Sequence, residues 1–293
     1  MIIRLIIITV STLSTHTLRQ VYFKSTLEVA LRNALVAEKV CRVDRRDLKT
    51  IENPYITQQT AAIQAVTGTY SVSAMTTTDD TLTVSEEIVF GTHVFDFESL
   101  TSNFDLISAF FDDLTYSVAF KIDQYVLNKI LDDATSTYTT PAGGFTSSAN
   151  ISTICANLLS KVAGYQSGIA SGTFLVIEST DVVGFAVAQV ASGFSYADAA
   201  LNNGFMSSYM GIDIYVVRTG TFVTATLGTL SAVNNNHRLF GVKGVATYAA
   251  PRGIRYEEKG VSGKTGKEIV VSGICGAKCW APKAALLVDI TLA

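Results

Sequence analysis

The stretch from Phe104 to Asp132 (FDLISAFFDDLTYSVAFKIDQYVLNKILD) contains neither glycine nor proline. Its apolar residues fall at Ile107, Phe110/Phe111, Leu114, Val118, Ile122, Tyr125/Val126 and Ile130, the three-to-four spacing of an amphipathic helix. Ser102, Asn103 and Asp105 offer an N-cap and an acidic first turn, and Pro141, Gly143 and Gly144 lie beyond the end. At about 1.5 Å per residue the helix spans roughly 40 Å, without the heptads of a coiled coil. Taken alone it reads as an ordinary long core helix. Its flanks turn the reading toward a spine on which sheets are laid.

A chain of 293 residues buries a sizeable core in one or two domains. It is 48% hydrophobic and only 16% charged, yet no apolar run reaches the roughly 18–20 residues of a membrane span. Such apolarity points to buried subunit interface. The net charge of −3 gives no whole-chain signal for nucleic acid, but residues 1–50 hold nine Lys/Arg against four Asp/Glu, about +5, which leaves about −8 for the rest. Cys41, Cys155, Cys275 and Cys279 and the scattered His16, His93 and His237 have no zinc-ligand spacing. The four cysteines read as reduced thiols of a cytoplasmic folding compartment. The opening MIIRLIIITV resembles the start of a signal peptide, but its β-branched residues and the lack of a clear cleavage site favour a terminal strand or arm.

In chain order, residues 20–47 read as a helix with a weak apolar stripe and with Arg32, Lys39, Arg42, Arg45 and Arg46 between. These cations fit either a solvated helix face or a basic inner arm meeting a polyanion or an acidic neighbour. Asn53 to Thr78 is polar and without period, a length uncommon in a compact domain unless it reaches a partner. Thr81 to Phe97 alternates as a strand pair or bent strand, with a turn at Asp79-Asp80 and a bulge at Gly91. Beyond the long helix we expect a loop over 135–149, a helix over Ile151–Val162, a buried strand over Thr173–Glu178, and a short helix over Asp181–Val190. A turn and strand follow over Gly204–Val217, then a surface loop over Thr219–Asn236 and a strand with a glycine bulge over Phe240–Ala249. Strands around Ile254–Glu258, Glu268–Ile274 and Ala284–Leu292 close the chain, and these C-terminal strands are expected to pair with those before the long helix.

Signatures of catalysis are missing. Gly263-Lys264-Thr265 lacks the earlier glycine of a phosphate loop, because Glu258 stands there. The acidic doublets Glu86-Glu87, Asp112-Asp113 and Asp132-Asp133 are adjacent residues, which point apart on a strand or helix rather than forming a dyad. No histidine has a constellation around it. The sequence therefore predicts no enzyme and no cofactor.

This order of elements resembles the major capsid proteins of tailed bacteriophages, with the Hong Kong 97-type fold. Thr81–Phe97 is similar to that family's extended loop and the strand behind it, Phe104–Asp132 to its spine helix, and Ile151–Val190 with GFMSSYMGIDIYVV to its axial domain. The closing HRLFGVKGVATYAAPRGIRYEE…GKEIVVSGICGAKCWAPKAALLVDI resembles its return to the peripheral domain, with Gly276-Ala277-Lys278 as the family's short turn before a last strand. The resemblance implies an α+β fold: an N-terminal arm (1–59), an extended β loop and peripheral domain with the spine helix (60–144), an axial α/β domain (145–248) and a peripheral return (249–293). It implies a coat protein that assembles into pentamers and hexamers of an icosahedral shell around double-stranded DNA. Such a protein belongs to the virion and is assembled in the host cytoplasm, with scaffolding, portal and decoration proteins as partners and no membrane. Without a long N-terminal extension, a separate scaffolding protein or direct assembly is expected. Arg42, Arg45, Arg46, Glu86, Glu87, Arg252 and Arg255 are the expected intersubunit or lumen contacts, and attraction to packaged DNA is non-specific and salt-sensitive. An encapsulin-type shell around a protein cargo and a secreted β-rich surface or adhesive protein are the alternative readings.

Overall fold

The computed structural model describes residues 35–56, 75–94, 106–164, 172–191, 205–260 and 265–293, with four single positions (61, 63, 66 and 68) besides. A short helix α1 (Ala37–Val40) leads into β1 (Arg42–Asp44), β2 (Thr50–Ile56), β3 (Thr77–Thr83) and β4 (Glu86–Val94). The long helix α2 (Leu106–Asp132) follows, then β5 (Ser136–Thr139), α3 (Ser148–Ala163), β6 (Thr173–Glu178) and α4 (Val182–Ala191). The rest of the chain is β7 (Phe205–Tyr209), β8 (Ile212–Val217), β9 (Thr224–Leu227), β10 (Leu230–Val233), β11 (His237–Val242), β12 (Ala246–Gly260), β13 (Lys267–Cys279) and β14 (Leu287–Thr291). This is an α+β fold.

Two sheets organise it. A four-stranded sheet has the order β1-β12-β13-β4 and a six-stranded sheet the order β5-β14-β11-β6-β8-β7. The first half of α2 lies on the four-stranded sheet, where Leu114, Val118 and Ile122 share one core with Ile269, Val271 and Cys275. The stretch from Ile122 to Asn128 is buried on every side, because that same core continues onto the six-stranded sheet through Phe174, Val176, Tyr215 and Leu239. The other face of the six-stranded sheet is closed by α3 and α4, with Ile154, Leu158 and Phe185 against Leu175, Ile177 and Ile214. β6 therefore sends alternate residues into two different cores. That is why TFLVIE is a continuous apolar run rather than an alternating one.

Several expectations need correction. The helix expected over 20–47 is confined, among the described residues, to Ala37–Val40, and Arg42–Asp44 is instead a strand paired in parallel with Thr247–Ala249 of β12. The expected N-cap residues Ser102, Asn103 and Asp105 lie outside the described residues. The polar segment begins and ends as strand: β2 and β3 pair from Thr50↔Thr83 to Ile56↔Thr77, and Asp79-Asp80 lies within β3 rather than in a turn. Gly91 pairs with Val270 in unbroken register, so β4 has no bulge there. The expected loops contain β5 and the β9–β10 hairpin. Register shifts fall in β12 between Ala249 and Arg252 and between Arg252 and Arg255, around Pro251, which has no N–H to give a ladder. Gly276-Ala277-Lys278 is not a turn, since all three pair with β12 inside β13. Of the C-terminal strands, β13 pairs with β4 as expected, while β14 lies between β5 and β11 of the six-stranded sheet.

Candidate functional site

The element that reaches away from both cores is the β2–β3 hairpin. β2 alternates between exposed and partly covered residues, β3 is exposed apart from Asp80 and Leu82, and Ile56, Ile63, Val66 and Met75 toward the far end are exposed apolar side chains. A two-stranded ribbon is marginal alone in water, so its root must be held. Leu82 and Val84 enter a small separate core with Ala249 and Trp280. The indole N–H of Trp280, the chain's single tryptophan, donates to Thr247 Oγ1 at 2.9 Å. Val84 N–H donates to the Lys49 carbonyl at 2.8 Å and closes the root of the hairpin.

Polar contacts fix the same root onto β13. Lys278 pairs with Asp80 and also donates to the Thr81 carbonyl at 2.8 Å. The second Asp80 oxygen accepts the Ala281 N–H at 2.8 Å. Burial pushes the Asp80 carboxyl up, but the Ala281 N–H and Lys278 outweigh it and hold the group below its ordinary value. Gly276 makes the crossing possible, because a Cβ there would lie 3.1 Å from Val84 Cα and 3.2 Å from the Thr83 carbonyl oxygen.

The expected contact residues fall into two groups. Arg42, Arg45, Arg46, Arg252 and Arg255 are exposed along β1, the segment after it and β12. Their charge is largely answered locally: Arg45 meets Glu38 at 3.4 Å, Arg46 meets Asp44 at 2.5 Å and Arg252 approaches Asp47 at 3.8 Å. Arg46 holds the Asp44 carboxyl down at about 2. Residues 35–56 carry Lys39, Arg42, Arg45, Arg46 and Lys49 against Glu38, Asp44, Asp47 and Glu52, five against four. Of the +5 over residues 1–50, +2 falls on residues 35–50 (five against three) and +3 on residues 1–34, and Glu52 brings residues 35–56 to +1. Glu87 is exposed.

Glu86 is the exception. It is buried and bound within its own chain, where Thr229 donates to it from both its backbone N–H, at 3.3 Å, and its hydroxyl. Gly228 (φ +60°) lets the β9–β10 turn close over it, since a Cβ there would lie 1.9 Å from Glu86 Oε2. As a free surface contact, Glu86 is excluded by this burial.

Two buried ionic positions were not anticipated. Arg238 on β11 donates Nε to Asp181 at 2.5 Å and Nη2 to Glu178 at 3.1 Å, with all three side chains almost fully buried where β6 meets α4. Asp123, in the middle of α2, accepts the backbone N–H groups of Val36 at 3.0 Å and Ala37 at 2.5 Å. A carboxylate between Ile122 and Val126 on an apolar helix was the available signal. Its partners lie 87 and 86 residues away and have no sequence signature.

The four cysteines are buried free thiols. Burial pushes the Cys155, Cys275 and Cys279 thiols up to about 12. Among the described residues no group of three or more His, Cys, Asp or Glu is placed to hold a metal ion, and no helix is long and apolar enough to cross a membrane.

A family model described as phage capsid protein matches residues 91–288. No curated protein sequence matches the chain. Among solved structures it is similar to the capsid of the cyanophage P-SCSP1u (TM-score 0.71, 14% identity, 94% of this chain and 93% of that one). It is similar also to a structure of Mycobacterium phage Che8 (TM-score 0.74, 13% identity, 94% and 98%). A third is the capsid of a native GTA particle (TM-score 0.65, 14% identity, 94% and 96%). These likenesses agree in fold over nearly the whole chain.

Proposed function

We propose, for a chain that belongs to the phage capsid protein family and so is a structural coat protein of the virion, that it self-assembles into pentamers and hexamers of an icosahedral shell enclosing a double-stranded DNA genome. The family match favours this over an encapsulin or a secreted surface protein. The observation that carries the assembly reading is the β2–β3 hairpin: it is held at its root by Asp80, Lys278 and Trp280 and exposes apolar side chains at its far end. A firmly seated projection with an apolar end suits a contact with a second copy. Many modest contacts of this kind reinforce each other through effective concentration once a ring has begun to form.

In this reading residues 1–59 are the arm, 60–144 and 249–293 the peripheral domain with its extended loop, and 145–248 the axial domain. The last strand, β14, ties the peripheral return to the axial sheet. Arg42, Arg45, Arg46, Glu87, Arg252 and Arg255 serve as contacts between subunits or with the lumen. The body is mildly acidic, so any attraction to DNA comes from the basic arm and is weak, non-specific and salt-sensitive. Scaffolding, portal and decoration proteins are the partners, assembly takes place in the host cytoplasm, and the role is structural rather than enzymatic.

The test is to replace residues 57–76 by Asn-Gly. Ile56 and Thr77 are already cross-strand partners, and Asn-Gly closes a two-residue hairpin turn. The expected product is a folded, soluble subunit that closes no shells. Normal particles from this variant would contradict the assignment of the hairpin to assembly.

A further inference from the structure

The N-terminal segment enters the body of the molecule at one carboxylate. Val36, Ala37 and Val40 are buried in the same core as Tyr125, Val126 and Leu127 of α2. Asp123 lies beneath them, 3% exposed, with one oxygen accepting both the Val36 and Ala37 N–H groups. A carboxylate removed from water loses hydration that two amide donors replace only in part, whereas a neutral carboxyl keeps a carbonyl oxygen able to accept both. The same contact therefore exists in both protonation states, at different cost.

Burial, not the neighbouring charges, sets the direction of the effect. The docked segment brings Glu38, which opposes a charge on Asp123, and Lys39, which favours it. It also brings Cys41, β12 brings Tyr248, and β13 brings Cys275 and Cys279 beside these two. Burial pushes all of these thiols and the phenol upward, so they stay neutral near neutrality. Burial is the largest influence on Asp123 as well and raises its carboxyl from 3.8 to about 6, against the two N–H donors.

We propose that Asp123 is a proton-linked latch on the N-terminal arm: residues Val36–Cys41 dock more tightly on α2 when Asp123 is protonated and loosen as it ionises. With the segment undocked, water reaches the carboxylate and its affinity for a proton returns to the ordinary value. Proton uptake therefore favours the docked state, and docking weakens as the pH rises through the titration of the covered group. Resting on the coat-protein reading, the latch lets a subunit keep its arm at home in mild acid and release it toward a neighbour at neutral pH.

Amide hydrogen exchange on the full chain tests this independently of assembly. Protection of Val36 and Ala37, corrected for intrinsic exchange, is compared at about pH 4.5 and about pH 7.5, with light scattering confirming one assembly state and the β6 amides as reference. Protection is expected to be roughly tenfold greater at the lower pH. Asp123→Asn, which keeps the acceptor and removes the charge, is expected to be protected equally at both. Asp123→Ala is expected to lose protection at both; should it fail to fold, wild type and Asp123→Asn decide alone. Wild-type protection that does not change with pH, an Asp123→Asn variant that keeps the change, or β6 amides that change in step would each overturn the latch. None of these results bears on shell formation, so the latch and the coat reading fail separately.

Discussion

Gly276 lies tightly beneath Val84: a Cβ at 276 would come within 3.1 Å of Val84 Cα. The root of the projecting hairpin crosses β13 at this point, so the glycine sets how closely the hairpin sits on the sheet. Gly276→Val is expected to destabilise the subunit by about 1–3 kcal/mol through overpacking, read as a lower urea midpoint. Gly276→Ala, which needs a shift of only a few tenths of an ångström, is expected to lose less. Equal midpoints for all three proteins would mean that the crossing is not tight.

Asp80 makes the hairpin root sensitive to acid. Its carboxyl is held below the ordinary 3.8, so the folded state binds its proton less well than the unfolded chain does. The stability it supplies is present above that ordinary value and is lost as the pH falls through the depressed one. Asp80→Asn is expected to cost about 1–2 kcal/mol at neutral pH through loss of the Lys278 pair, a gap that closes below about pH 4. Urea unfolding of both proteins across that range checks it, and a gap independent of pH would remove the ion pair from the account.

Arg238 is the sole cation of a buried triad with Glu178 and Asp181 among the described residues. Replacing it by methionine leaves two buried carboxylates facing an apolar side chain. Breaking such a pair from one side costs about 3–5 kcal/mol, a large share of the roughly 5–15 kcal/mol that holds a domain folded, and is expected to lower the melting temperature markedly. A soluble Arg238→Met variant with an unchanged melting temperature would contradict the burial of the triad.

The long helix is a core element, with Leu114 4% and Ile122 7% exposed. Changing both to Asp removes two apolar side chains, about 2–5 kcal/mol each, and buries two charges. Expression is expected to give insoluble protein, while a soluble, assembled double variant would show that α2 is not buried.

What was legible in the sequence follows from where the apolar residues fall. α2, α3 and β6 announce themselves because each buries apolar residues with a fixed period or as an unbroken run. β2 and β3 do not, because a ribbon with much of both faces in water needs no apolar alternation, and its Thr, Asn and Asp residues read as loop. The β9–β10 hairpin was hidden for a similar reason: Phe222, Leu227 and Ala232 are buried but lie among Thr, Gly and Asn. The family resemblance was readable from element order, but the seat of the hairpin was not. Asp80 meets Lys278 across 198 positions of chain (278 − 80), and nothing local marks either residue as the other's partner. The burial of Glu86 was not legible either, because nothing in an acidic doublet tells which of the two closes a contact with Thr229.

The central claim, that this chain builds a closed shell through a seated hairpin, is tested most directly by negative-stain electron microscopy of the purified full-length protein, alongside light scattering, with and without a co-expressed scaffolding protein. The account predicts closed shells, or rings of five or six subunits, in at least one of the two preparations. A monodisperse monomer in both would contradict it.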